Sequence, residues 1–392
     1  MRPRTLALSC AAAALTLVPA LYSTLDAKPS GTKTDGQYIF RYDTFGDEDL
    51  WTGILRLHEV IQTSVSPKTA LSVGLKVDAS VLPPNFLAKY SLDDPATTVE
   101  LLRRNAVVGV MAKVKDRQIT SIGITCALCH STVDNSVTAG VGNRVDGWPN
   151  RDLNPGAIIA LSPALTPAQK AVYNSWGPGR YDPRFNIDGI NGPVLIPPAY
   201  GLQGVPFEIY TADGPISYWN NYVAVTQMGG HGSFCDPRIP PSGVCISQTP
   251  DLVVPKLPAL LQYQLSLQAP PPPAGSVDAV KAARGQALFN GAARCATCHI
   301  PPLYTDVQNG PDSATPLVHD ASETGMDPAY AMRSVTKKYR TTPLRALWQH
   351  APYFHDGSAP TLAAVVNHYN TYLGLGLTEA QKADLAEFLK TL

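Results

Sequence analysis

The sequence carries no surplus of charge of either sign, with 31 Lys and Arg against 31 Asp and Glu over 392 residues. A neutral chain presents no broad basic face, so nucleic acid and anionic membrane are not expected as partners. The apolar run at the N-terminus, Thr5 to Val18, falls short of the roughly 20 residues a membrane span needs. An integral membrane protein is therefore not expected. No internal repeat is evident apart from one five-residue motif that occurs twice, and the flanks of its two copies do not match. Proline (36) and glycine (30) are plentiful by contrast, so loops and turns should outweigh regular elements. The length suits two domains of ordinary size, each with its own core.

The first residues read Met1-Arg2-Pro3-Arg4, then the apolar run, then Pro19. That is the pattern of a signal peptide over 1–27, with cleavage after Ala20 or Ala27, and it implies a periplasmic protein. Seven cysteines divide around it. Cys10 lies in the signal and is given no function, four belong to the repeated motif, and Cys235 and Cys245 remain. In an oxidising compartment this last pair reads as a disulfide closing a Pro-rich loop, with two free thiols as the alternative.

Periodicity places an amphipathic helix over Asp47 to Gln62, with His58 on or beside its apolar face. Asp94-Pro95 caps a helix through Arg104. Two β-rich runs, Val107–Val114 and Ile119–Ile124, should pair as a hairpin that delivers the first copy of the motif. Thr166-Pro167 starts a short helix to Trp176. Pro270 to Pro273 stiffen a stretch at 265–275, the expected linker between an N-terminal domain (28–264) and a C-terminal one (276–392). Val277 to Asn290 reads as a helix ending just before the second motif, and Thr378-Glu379-Ala380-Gln381 is a capping box for a last helix. That C-terminal arrangement resembles the class I cytochrome c fold, in which the helix before the motif packs through a glycine against the last helix.

The motif itself is Cys126-Ala127-Leu128-Cys129-His130 and Cys295-Ala296-Thr297-Cys298-His299. Cysteines at i and i+3 of a helical turn share a face and reach two vinyl groups of one porphyrin, and the following histidine meets the iron. Two covalent c-type haems are expected, on Cys126 and Cys129 and on Cys295 and Cys298, with His130 and His299 as axial ligands. A zinc site or a dithiol does not explain a histidine after both pairs. The fold expected is mainly α with many loops, built as two cytochrome c-like haem domains, the first enlarged and carrying a small β-hairpin.

One further segment is distinctive: Thr341-Thr342-Pro343-Leu344-Arg345, leading to Ala351-Pro352-Tyr353-Phe354-His355-Asp356-Gly357-Ser358. It resembles the bacterial di-haem cytochrome c peroxidases and their relatives, the methylamine dehydrogenase-maturing di-haem enzymes. The resemblance is specific over Val277 to Leu392 and rests on the haem motif alone in the first domain. It implies that the C-terminal haem takes in electrons while the N-terminal haem binds peroxide or oxygen. It puts the sixth ligand of the C-terminal haem at or beside Tyr369, whereas imidazole chemistry favours its neighbour His368. The family's usual methionine is missing, since none of the five methionines lies after Arg333.

The same resemblance makes His355 an inter-haem or structural residue and Trp148 an inter-haem candidate, although packing explains Trp148 as well. It also implies a calcium ion between the domains, with backbone oxygens near Thr341 and Pro343 as candidate ligands, although no acidic cluster argues for it from the residues. Distal or catalytic candidates at the first haem are Gln227, Met228, His231 and His58, each of which ordinary packing also explains. The leading expectation is a periplasmic peroxidase-type oxidoreductase, with a small cytochrome or cupredoxin as electron donor and hydrogen peroxide or another small oxidant as acceptor. A non-catalytic di-haem carrier and a di-haem oxygenase like the rubber oxygenases are the alternatives.

Overall fold

The computed structural model describes residues 33–392; the expected signal sequence and Cys10 lie outside the described residues. The chain is mostly helix and loop, and its five sheets each have only two short strands. Helix α1 (Lys33–Tyr42) packs along a helix far away in sequence, Leu257–Ser266. Phe40 of α1 and Tyr263 meet there edge to face, 5.5 Å apart.

The helix expected over Asp47 to Gln62 is two pieces. A π-helical turn, Asp49–Ile54, gives way to α2 (Leu57–Ser64), and Arg56 between them takes φ 54°. The competitor is a strand. Thr52 Oγ1 donates to the Ile122 carbonyl and accepts from its N–H, while the Asp47 carboxylate accepts from Ile124 N. Bonding to the strand outweighs the regular ladder at this edge.

That strand belongs to the expected hairpin, β1 (Val110–Lys115) against β2 (Gln118–Ile124), with Val110 opposite Ile124. Helix α3 (Pro95–Arg103) starts as the sequence implies, Asp94 accepting from Ala96 N. Helix α4 (Pro167–Asn174) is opened by a Thr166–Gln169 capping box. Residues 234–236 and 244–246 form a small antiparallel pair in which Cys235 faces Cys245, and the two are joined by a disulfide.

Helix α5 (Leu257–Ser266) continues two residues into the stretch expected to be linker. Beyond it the chain is extended, and Pro270 accepts from Trp348 Nε1 at 3.0 Å. Helix α6 (Ala279–Asn290) then packs against the last helix, α8 (Glu379–Leu389), with α7 (Leu362–Tyr372) alongside. Gly285 makes the crossing close, since a Cβ there would sit 2.0 Å from the Asp384 carbonyl oxygen. Phe289 and Phe388 fill the same core edge to face, and Arg284 bridges to Asp384 at 2.7 Å.

Residues between the second motif and α7 return to pack on the N-terminal part. Arg333 pairs with Asp182 and Asp188, Arg340 with Glu208, and Leu195 N donates to the His355 carbonyl. Among the described residues no helix is long and apolar enough to cross a membrane.

Candidate haem sites

The first motif follows directly on β2. Thr125 N donates to Gly109 O, and one helical turn, Ala127–His130, carries the motif. Gly109 has φ 78°, and a Cβ on it would lie 2.1 Å from Leu128 N, so only glycine lets the hairpin lie against the turn. Cys126 faces the aromatic core that holds Phe40, Tyr218 and Tyr222, while Cys129 faces the core of Trp51 and Trp176. Burial pushes both thiols up to about 12, so at neutral pH they are protonated. His130 Nδ1 donates to the Pro197 carbonyl at 3.1 Å. That bond fixes the tautomer and leaves Nε2 as a free donor atom for a metal. Burial lowers the His130 pKa to about 4, which keeps the ring neutral.

The second motif repeats this chemistry in a different backbone, a short 3₁₀ turn at Cys295–Thr297. His299 Nδ1 donates to the Tyr304 carbonyl at 2.9 Å, and burial again lowers its pKa. Cys295, Cys298 and His299 line a cavity of about 540 Å³. Tyr369 lines it too, its hydroxyl pushed up to about 12 by burial and then by the two thiols. His368 does not. Its Nε2 lies 2.7 Å from the Thr324 carbonyl and its ring stacks on Tyr372. Of the two candidates, the one that the resemblance points to, Tyr369, lines the cavity, and the one that imidazole chemistry favours, His368, is bonded elsewhere.

The residues fit a covalently held porphyrin. Each motif offers two free cysteines and one neutral histidine oriented through Nδ1, and the second opens on a cavity lined by apolar side chains such as Phe289, Leu362 and Val366. A zinc site fits less well, because zinc takes four N, S or O ligands. Among the described residues the only trio of His, Cys, Asp or Glu that converges is Cys298, Asp306 and His319, and covalent attachment of Cys298 would remove its thiolate. Calcium fits poorly. It needs six to eight oxygens, yet the Thr341 carbonyl already accepts from Thr305 Oγ1, and its neighbours Arg340 and Arg345 are cations lining the cavity.

The remaining candidates scatter. Gln227 Oε1 accepts from Tyr181, whose buried hydroxyl feels the Cys129 thiol, so Gln227 lies one hydrogen bond from the first motif's surroundings. Met228 packs in the same core as Cys126, and its carbonyl accepts from Trp51. His231 has a buried Nε2 and His58 a buried Nδ1, each without a hydrogen-bond partner. His355 is buried against Tyr339, Tyr330 and Tyr210, with Nε2 3.1 Å from the Tyr339 hydroxyl. Trp148 meets Trp348 edge to face, 5.8 Å between ring centres. Sequence reasoning missed Tyr181, Arg151 and Arg345; Arg345 stood inside the distinctive 341–345 segment, whereas nothing local marked the other two.

The profile of the RoxA-like, cytochrome c-like family matches residues 338–371, the segment between the cavity's arginines and Tyr369. Methylamine utilization protein MauG of Methylorubrum extorquens is 34% identical over 125 residues, 28% of this chain and 34% of that protein. Cytochrome-c peroxidase IdrP2 of Pseudomonas sp. strain SCT is 31% identical over 144 residues, 29% of this chain and 39% of that one. The chain therefore spans little more than a third of these relatives' length. Among solved structures, hydrazine synthase of Kuenenia stuttgartiensis aligns with 53% of this chain and 74% of its own at a TM-score of 0.34 and 20% identity, a likeness on which nothing rests. The cytochrome c-like profile and the two motifs support c-type haem. Over somewhat more than a quarter of its length the chain is similar to the MauG protein and to cytochrome-c peroxidases.

Proposed function

We propose that the protein is a periplasmic di-haem oxidoreductase of the peroxidase type, with a domain of residues 28–264 carrying one haem and a domain of 276–392 carrying the other. The observation that supports it best is the matched pair of motifs, each with a histidine held through Nδ1 by a backbone carbonyl. Cys126, Cys129, Cys295 and Cys298 would hold the porphyrins through thioethers, and His130 and His299 would ligate the irons. Bound haem supplies one-electron exchange at both sites and, where its sixth position is open, a place for peroxide. Tyr369 would close the second site, whose haem would supply a point of entry for electrons from a small cytochrome or cupredoxin. At the first site Tyr181, its pKa raised by burial, stays protonated and hands a hydrogen bond to Gln227, a pair suited to moving a proton beside bound peroxide.

The test is a spin-state spectrum of the purified oxidised protein together with its intact mass. Two attached haems are expected, one low spin and one at least partly high spin. A mass with a single haem would overturn the di-haem reading, and two low-spin irons would turn it into an electron carrier without catalysis. The RoxA-like match at 338–371 favours one second reading, an oxygenase resembling the rubber oxygenases. Turnover of hydrogen peroxide against oxygenation of an apolar polymer separates the two.

A further inference from the structure

The cavity behind Cys295 and Cys298 is also lined by arginines: Arg294, exposed and bonded to the Leu373 carbonyl, and three less exposed ones, Arg151, Arg340 and Arg345. All three have buried N–H groups with no acceptor: Nε and Nη1 of Arg151, Nε of Arg340, Nη2 of Arg345. Arg340 takes Glu208, the carboxylate beside them, at 2.9 Å. Arg345 reaches only the Tyr200 carbonyl, at 3.3 Å, and Arg151 meets the Tyr210 hydroxyl. Burial lowers the pKa of both, Arg345 to about 10, so both still carry charge at neutral pH. Buried guanidinium groups in excess of their counter-charges are costly unless an anion joins them. Of the lining carboxylates, Glu323 pairs with His319 and Glu208 with Arg340, which leaves Arg151 and Arg345 without a counter-charge.

We propose that Arg151 and Arg345, with Arg340 beside them, bind the two propionate carboxylates of the porphyrin attached at Cys295 and Cys298. This rests on the reading of that motif as a haem site. A porphyrin of this kind has vinyl groups at one edge and propionates at the other. A cavity that holds cysteines for the first edge must therefore find partners for the second. The charges match, two propionates for two uncompensated arginines, and a guanidinium fork suits a carboxylate with two parallel hydrogen bonds. Arg340 and Arg345 flank Thr341 and Pro343, the candidate calcium ligands, and line the same cavity, so on this proposal the cationic charge there is guanidinium and needs no metal.

The test compares wild-type holoprotein with Arg151→Gln, Arg345→Gln, the double variant, and the two Lys variants. Haem is counted by mass, and the midpoint potential of each haem is titrated from pH 6 to 8 with and without a calcium chelator. Haem attachment should be unchanged. The Gln variants should lower the potential of the C-terminal haem and give it a pH dependence that the wild type lacks, because an unpaired propionate takes up a proton on reduction. The Lys variants should restore most of the shift, and the chelator should change nothing. Unchanged potentials in fully loaded Gln variants would overturn the proposal, and so would a wild-type potential that moves on chelation. Should the variants fail to accumulate, infrared redox-difference spectra of wild type with haem ¹³C-labelled at the propionates decide. A carboxylate band constant over this range supports the clamp, and a titrating band overturns it. A wild-type mass without haem on Cys295 and Cys298 sinks instead the reading of the motif, and this proposal with it.

Discussion

Tyr369 and His368 show how much one residue's direction decides. Adjacent helical positions point about 100° apart, and α7 gives the cavity to Tyr369 while His368 bonds to Thr324. Tyr369→Phe should therefore change the electron paramagnetic resonance signal of the C-terminal haem, and His368→Ala should leave it as in the wild type. The reverse pattern would make His368 the ligand. His319 offers a second residue-scale test. A hydrogen bond that it donates to Asp306, and then one to Glu323, outweigh burial and raise its pKa to about 9. A histidine with a raised folded-state pKa contributes stability in full below its unfolded value of about 6.5. That contribution fades as pH rises through about 9. Thermal melts should thus show wild type losing its advantage over His319→Gln between pH 6.5 and 9, whereas an offset constant across that window would mean the ion pairs contribute nothing. The motif histidines and cysteines were legible because their chemistry is local, five residues in a row. Arg151 and Tyr181 were not, because only folding brings them near residues from elsewhere in the chain.

At the scale of elements the caps were the clearest signals. Asp94, Thr166 and Thr378 each accept from the first turn of the helix they were expected to open, since capping depends on neighbours three residues away. The hairpin was equally plain from its alternation. The stretch from Asp47 to Gln62 misled, because its periodicity cannot reveal that Thr52 and Asp47 bond a strand some 70 residues on. The contact of α6 with α8 supports a direct test at Gly285. Alanine would gain about 1 kcal/mol in helix propensity, but its Cβ would meet backbone 2.0 Å away, and neither helix can yield without losing the Phe289–Phe388 contact. Overpacking of this kind costs about 1–3 kcal/mol. Gly285→Ala should therefore be net destabilised in denaturant titration, and a stabilised variant would show that the helices separate freely.

Across the whole molecule the C-terminal half sends buried charges back to the N-terminal half, past the extended stretch after α5. Arg333 binds Asp182 and Asp188 with only 6% of its side chain exposed. Removing one partner of such a buried network costs about 3–5 kcal/mol. Arg333→Leu should accordingly lower the unfolding midpoint and speed proteolysis between residues 300 and 356, and an unaltered melting curve would count against the network as a clasp. Sequence gave no hint of this, because an arginine and two aspartates about 150 positions apart carry no periodic signature.

The hairpin that sets Cys235 opposite Cys245 bears on how the chain matures. Six cysteines outside the signal must be sorted, two toward oxidation and four toward attachment of the porphyrins, and a wrong pairing would leave an attachment site without its thiols. Chain statistics bear on one kind of error, a bridge between this pair and a motif cysteine. Cys235 and Cys245 are 10 residues apart, and closing the roughly fivefold longer loop from Cys245 to Cys295 costs about 1.4 kcal/mol more, or about a tenfold preference for the local bridge. On the proposed reading, that local bridge keeps Cys235 and Cys245 from capturing a thiol that a porphyrin needs.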